Sequence, residues 1–299
     1  MTDKFLDYLR YERNASPQTV RTYEESLREF HSYVTDKDKQ LSLASVDTDV
    51  IRDWMESLMD KGNSASTINK KLSALRSFYR FCLKRNLMPN DPAHCVTGPR
   101  KSKPLPQFLR ENDMDNLLDG RAWGEEYESV RARTIILLFY EAGLRRSELT
   151  GLDDGDIDFS ARQLKVTGKR NKQRIVPFGE ELATALREYM KCRDGQAEAS
   201  GRTTALFRND KGERMTGSQV YAIVRRHLSE VTTMKKRSPH VLRHTFATAM
   251  LNNGAGLESI KNLLGHESVS TTEIYTHTTF DQLKRIYKEA HPRARTFIN

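Results

Sequence analysis

The segment MPNDPAHCVTGPRKSKPLPQF, residues 88–108, holds five of the chain's nine prolines: Pro89, Pro92, Pro99, Pro104 and Pro106. Each proline fixes its own φ, removes a backbone donor and pushes the preceding residue away from the helical region. A stretch so dense in proline excludes a helix and reads as an extended connector between two separately folded parts. It divides the chain into an N-terminal domain over residues 1–97, a basic linker over 98–107 and a C-terminal domain over 108–299. A chain of 299 residues is long enough for two such cores.

Upstream of the joint the pattern is helical throughout, with four helices and no strand signal. FLDYLRYE is short and amphipathic. In SPQTVRTYEESLREFHSYV, Ser16 is an N-cap and Pro17 takes the first helical position. VDTDVIRDWMESLMDKG stops at Gly62. STINKKLSALRSFYRFCLKRN begins with Ser66 as its cap. At about 100° per residue, Ile68, Leu72, Leu75, Tyr79 and Cys82 of that last helix share one face. Lys70, Arg76, Arg80, Lys84 and Arg85 occupy the opposite arc, and residues 67–86 contain no acid. Solvated faces usually mix signs, so a face of one sign suggests phosphate contact. With Lys71 beside them and Arg100, Lys101 and Lys103 in the linker, these residues form the candidate DNA-contacting set.

Downstream the pattern is mixed. RQLKVTGKRNKQRIVPF alternates, turns and alternates again, which is a β-hairpin. Helical periodicity surrounds it, from EYESVRARTIILLFYEAG to TFDQLKRIYKEAH. The fold expected is mainly α, with a small β-hairpin or sheet in an α+β C-terminal domain.

Composition narrows the function classes. With 37% hydrophobic and 30% charged residues the chain is globular rather than disordered. A formal charge of +9 favours an anionic partner, of which nucleic acid is the commonest. No apolar run approaches the roughly 20 residues of a membrane span. MTDKFLDYLRYERN is charged throughout and is no signal peptide, so neither secretion nor membrane insertion is expected. Cys82, Cys95 and Cys192 are scattered, which argues against a disulfide framework or zinc site and fits a reducing cytoplasm.

The chemistry-bearing residues cluster in the second half. SPHVLRHTFATAMLNNG, residues 238–254, has Ser238 as N-cap and Pro239 at the first helical position, then His240, Arg243 and His244 within one turn. His240 and Arg243 are three apart and share a face. Cations there oppose the helix dipole, and an anion bound between them and the free N–H groups would relieve the conflict. Taken alone, the same cluster is also the polar start of an ordinary capped helix. EAGLRRSELTGL sets Arg145 and Arg146 after a helix stop at Gly143. The hairpin tip offers Lys169 and Lys172. LLGHESVSTTEIYTH places His266 at a helix end and Tyr275 nine residues later.

These segments, with the closing HPRA, resemble the tyrosine recombinases, most closely the short Xer-type members, and the likeness runs nearly the whole length. Matched motif to motif, the family's catalytic residues fall on Arg145, Lys169, His240, Arg243, His266 and Tyr275. Arg145 is chosen over Arg146 because it directly follows Gly-Leu, and Lys169 over Lys172 because it directly follows the hairpin glycine. The resemblance implies a clamp of two domains around double-stranded DNA, strand cutting and rejoining through a 3′-phosphotyrosine at Tyr275, and no need for a cofactor, metal or ATP. No Walker-type loop or HExxH stretch is present. It also implies a homotetramer or a heterotetramer with a related recombinase on two sites. In that assembly the last helix docks on a neighbouring subunit through Leu283, Ile286 and Tyr287. Chromosome dimer resolution in the nucleoid, with a septal DNA translocase as a further partner, is the role expected. His244 is assigned a structural place within its helix.

Rival readings stay open at this point. A non-enzymatic DNA-binding regulator could use LESIKNLLGHESVSTTEIYTH as a helix-turn-helix, but leaves Arg145 and Lys169 idle. A metal-dependent nuclease would have only LDDGDIDF, whose acids suit a turn. A strand-relaxing topoisomerase or a mobile-element integrase would share the chemistry.

Overall fold

The computed structural model of the chain describes residues 1–101, 107–120, 122–168, 171–195, 203–265 and 280–294. Chain contacts separate two compact units, Met1–Pro104 and Leu105–Asn299.

The first unit is helical: α1 (Thr2–Asp7) runs into a π-turn (Tyr8–Glu12), followed by α2 (Pro17–Lys37), α3 (Thr48–Asp60) and α4 (Ala65–Lys84). Ser16 caps α2 by accepting from the Thr19 N–H at 3.2 Å, and Asp47 caps α3 through Asp49 and Val50. The cap of α4 is Ser64, accepting from Thr67 N–H, two residues earlier than the expected Ser66. The earlier serine wins because its backbone is extended (φ −67°, ψ 150°) while Ser66 already lies inside the first turn. The core gathers Phe5, Phe30, Trp54, Phe78 and Tyr79, all essentially inaccessible. Part of the proline-rich segment belongs to this unit, since Met88, Ala93 and Val96 enter the same core.

The second unit is built on α6 (Tyr127–Ala142), a helix buried along nearly its whole length. Around it lie α5 (Glu111–Leu118), α7 (Arg146–Thr150), α8 (Glu180–Gly195), α9 (Gly217–Val231), α10 (Pro239–Asn252), α11 (Leu257–Leu264) and α12 (Phe280–Ala290). A short β1 (Ile157–Asp158) joins the expected hairpin, β2 (Gln163–Thr167) and β3 (Gln173–Pro177), in an antiparallel sheet ordered β1-β2-β3. Leu164 faces Val176 and Val166 faces Arg174 across the hairpin. The LDDGDIDF acids serve turns and ion pairs: Asp154 meets Arg193 at 2.6 Å, Asp153 meets Arg214 at 2.5 Å, and Asp158 accepts from Ala161 N–H.

Within the single chain, Leu283, Ile286 and Tyr287 of α12 pack with Phe246, Met250 and Leu263 of their own unit. The Tyr287 hydroxyl donates to Glu141 at 3.0 Å, Lys284 donates to the Ala161 carbonyl at 2.6 Å, and Arg293 pairs with Asp115, Asp119 and Glu181. Burial drives the Glu141 carboxyl up to about 8, although the Gly179 N–H and Tyr287 hydroxyl favour its charged form. Burial likewise takes His291 down to about 4.

The signs of these two shifts differ. The folded state holds the Glu141 proton more tightly than the unfolded chain, so this group withdraws stability as pH rises from 4.5 to about 8. Folded His291 resists protonation, so its contribution rises with pH between about 4 and 6.5. Above 6.5 Glu141 acts without His291's opposition. The melting temperature of the second unit is expected to fall between pH 6.5 and 8, a loss of about 2 kcal/mol. Glu141→Gln should flatten that slope; an unchanged slope in the variant would assign it to other groups.

Candidate active site

Three helix ends meet around one buried carboxylate. Gly143 closes α6 in the left-handed conformation (φ +58°), where a Cβ would lie 2.5 Å from Phe246 Cδ1 and 2.9 Å from Leu264 Cδ2. Only glycine fits there. Arg145 then takes the N-cap position of α7 and places Glu148 in its first turn. The Glu148 carboxylate accepts from the Arg145 backbone N–H at 2.8 Å, from the Arg145 side chain at 2.7 Å, and from both terminal nitrogens of Arg174 at 2.9 Å. Arg243 Nη1 lies 3.8 Å away.

The guanidiniums also cap α11. Leu263 carbonyl accepts from Arg174 at 2.8 Å, Leu264 carbonyl from Arg243 at 2.7 Å and Gly265 carbonyl from Arg145 at 2.8 Å. Three consecutive carbonyls at the negative end of a helix therefore each hold one cation. Arg243 makes a further bond to Gly143 carbonyl, at the C-terminus of α6, at 2.6 Å. This resolves the conflict posed by cations at the start of α10. Arg243 directs its charge at the C-terminal carbonyls of two other helices, not at its own N-terminus. Ser238 occupies the N-cap position of α10 with extended backbone, but its hydroxyl makes no capping bond.

The electrostatics favour an anion. Three guanidiniums face a single carboxylate, so two positive charges remain unmatched in a largely buried place. Burial opposes the ionisation of Glu148, yet the bonds and charge of Arg174 and then of Arg145 outweigh it and hold the carboxyl at about 2. Burial and the neighbouring Arg145 charge lower Arg243 to about 10, still cationic at neutral pH. Although His240 is exposed as a residue, partial loss of solvent around its imidazole, with the charges of His244, Arg243, Arg146 and Arg145, pushes it below its ordinary value. It is a neutral base near pH 7. His244, expected to pack within its helix, is instead exposed.

Arg145, His240 and Arg243 are thus gathered in one region, whereas Lys169, His266 and Tyr275 lie outside the described residues. Gly265, with φ +63°, ends α11 immediately before His266. Glu148 and Arg174 are the members that sequence reasoning missed. Their signal was present: in β3 the two-residue alternation sets Arg174 on the same inward face as Val176, where a charge requires a partner. Among the described residues no group of three His, Cys, Asp or Glu is placed to hold a metal ion.

The basic arc of α4 divides into two classes. Lys70, Arg80 and Lys84 are exposed and fall within an arc of about 80°. Arg76 is half-buried and donates to the carbonyls of Ala93 (3.3 Å) and Val96, fastening the proline-rich segment to the helix. Lys71 pairs with Glu29, and Arg85 with Glu12 at 2.5 Å. Arg100 and Lys101 are exposed; Lys103 lies outside the described residues.

Comparison with known proteins fits this arrangement. The phage integrase family matches residues 107–282, and the phage integrase N-terminal SAM-like domain matches residues 2–86. The chain belongs to the phage integrase family, the tyrosine recombinases. Tyrosine recombinase XerC of Chlorobaculum tepidum is 39% identical, covering 97% of this chain and 94% of its own. Tyrosine recombinase XerD of Oceanobacillus iheyensis is 35% identical, covering 98% of each chain. The XerH site-specific recombinase in a post-cleavage complex with its palindromic difH substrate shares the fold: TM-score 0.70 and 22% identity, over 98% of this chain and 82% of that one. The chain is accordingly an enzyme of the Xer type that carries out site-specific DNA recombination by tyrosine chemistry.

Proposed function

We propose that the site cuts and rejoins double-stranded DNA with Tyr275 as nucleophile. The observation that carries this reading is the pair of guanidiniums, Arg145 and Arg243, held at the end of α11 directly before His266. A phosphodiester bound there meets planar guanidinium forks. The Tyr275 oxygen attacks phosphorus, a P–O bond forms to the ring, and the bond to the 5′-oxygen breaks. His240, held neutral, takes the tyrosine proton, and Lys169 protonates the departing 5′-hydroxyl. Arg145, Arg243 and His266 stabilise the nonbridging oxygens as charge grows on them. The phosphotyrosine ester retains the bond energy, so a 5′-hydroxyl from a second strand reverses the step with no net consumption of anything. The expected test result is a covalent adduct on nicked DNA whose phosphorylated peptide contains Tyr275, with the recovered DNA defining the target site. An adduct mapped to another residue would sink the assignment.

The biological role we propose is chromosome dimer resolution on nucleoid DNA in the cytoplasm. Four protomers span two sites, with a related recombinase supplying half of them and a septal DNA translocase as an added partner. The near-full-length relatedness to both XerC and XerD supports this role.

DNA grip is assigned to the exposed arc of α4 together with Arg100, Lys101 and Lys103. Replacing Lys70 and Arg80 by alanine should weaken binding and reduce the salt slope by roughly one for each phosphate that is no longer neutralised. A slope identical to that of the parent protein would leave this arc a plain solvated face.

A further inference from the structure

We propose that Arg174 is a positioning residue of strand cleavage, fixing the three segments that carry Arg145, Lys169 and His266 in one register. The inference rests on the residue roles proposed above. Arg174 stands on the inward face of β3, opposite Val166, with only 7% of its side chain exposed. One nitrogen, Nε, donates to Leu263 carbonyl at 2.8 Å, while Nη1 and Nη2 each donate to one Glu148 oxygen at 2.9 Å. A single planar side chain thereby joins the hairpin, the start of α7 and the end of α11.

Each attachment point stands close in sequence to a proposed catalytic residue. Glu148 follows Arg145 by three positions and bonds its backbone and its side chain. Leu263 precedes His266 by three, and Arg174 itself follows Lys169 by five on the same hairpin. The fit is close: a Cβ on Gly265 would approach Arg174 Cδ and Nη1 to 3.2 Å. On the hairpin side, Gly168 N–H closes the turn by donating to Lys172 carbonyl at 2.7 Å. All three nitrogens of Arg174 are engaged by Leu263 and Glu148, so it does not serve as a phosphate ligand. Its work is done through Arg145 and the ends of the hairpin and α11.

Lysine could keep the charge but has one nitrogen, which cannot reach both carboxylate oxygens and the Leu263 carbonyl together. Without the fork, Glu148 retains the partly exposed Arg145 and the more distant Arg243, and burial then drives its carboxyl up from about 2. Once protonated, Glu148 no longer anchors Arg145 by charge. A defect in positioning must therefore deepen as pH falls.

The experiment compares the parent protein, Arg174→Lys, Arg174→Met and Arg174→Met/Glu148→Gln on nicked DNA carrying the recombination site. It reads single-turnover adduct formation from pH 5 to 8, DNA affinity and melting temperature. Arg174→Lys is expected to bind DNA within about twofold of the parent and form adduct ~10–100-fold more slowly, with the deficit widening toward pH 5. Arg174→Met should melt earlier. Adding Glu148→Gln should restore melting temperature, because the stranded carboxylate is gone, without restoring the rate. Parental rate and pH profile in Arg174→Lys would overturn the inference. So would a rate that recovers together with melting temperature in the double variant, since Arg174 would then be a folding residue only. Absence of adduct from the parent protein, or adduct from a Tyr275→Phe control, would instead overturn the reading of the site, and this inference with it.

Discussion

Replacing Tyr275 by phenylalanine is expected to abolish covalent adduct formation while leaving DNA binding within about twofold of the parent protein. Phenylalanine preserves the ring and its volume and removes the oxygen proposed to attack phosphorus. In-line attack requires a nucleophile within about 3–3.5 Å of phosphorus and aligned with the leaving oxygen, so a hydroxyl elsewhere in the site is expected to give no adduct. The measurement is denaturing electrophoresis of protein trapped on a nicked substrate. A full yield of adduct from Tyr275→Phe would remove this residue from the nucleophile's role.

The structure also tells which tyrosines serve as controls. Tyr221 is an exposed residue of α9, so Tyr221→Phe should form adduct normally. Tyr287 is a poorer control than its distance from the Gly-His motif suggests. Its hydroxyl donates to the buried Glu141, and phenylalanine there takes a hydrogen bond from a group that already lacks solvent. A combined loss of adduct and melting temperature in Tyr287→Phe would report unfolding of the C-terminal packing. Loss of adduct alone, at position 275, reports chemistry.

How far the sequence discloses this molecule depends on the range of the forces involved. Proline density marks an expected joint because proline acts on its own residue and the one before it. The helix starts at Ser16–Pro17 and the stop at Gly143 are equally local, and they match the caps observed. Ser64 and Ser66 show the limit: both are competent caps, and only the backbone conformation selects between them. Arg76 is indistinguishable from Arg80 on a helical wheel. What separates them is the folding back of Ala93 and Val96 onto α4, which joins residues 17 and 20 positions apart. The Glu148 network is less legible still, since it links residues as far apart as Gly143 and Arg243. Arg145 and Arg243 could be recognised from motif, yet their partners, the last carbonyls of α11, carry no side-chain signature at all. Nor does α12 announce its destination. An apolar edge of Leu283, Ile286 and Tyr287 could serve a neighbour or its own domain equally well, and within one chain the Tyr287–Glu141 bond ties it to its own domain.

Arg243→Lys tests whether the cluster works by geometry or by charge, and the expected outcome is a cleavage rate lower by ~10²–10³, about 3–4 kcal/mol of lost transition-state stabilisation. The guanidinium has five donors, of which one bonds Gly143 carbonyl and one Leu264 carbonyl, and the rest remain for phosphate oxygens. Those two bonds join the ends of α6 and α11, holding Gly143 and Leu264 to one side chain. A lysine nitrogen can meet one of these carbonyls or a phosphate oxygen, and it cannot do both with fork geometry. Its charge is less secure too. The burial and the Arg145 charge that bring Arg243 to about 10 would carry a lysine well below its ordinary value, toward neutrality in the working range. Acidification restores a lysine's proton, so the ratio of parent to variant rates should shrink between pH 8 and 6. A constant ratio would mean that charge is retained and the deficit is purely geometric. A variant cleaving as fast as the parent protein would show that the third guanidinium contributes only to packing, and would leave Arg145 as the phosphate's principal ligand.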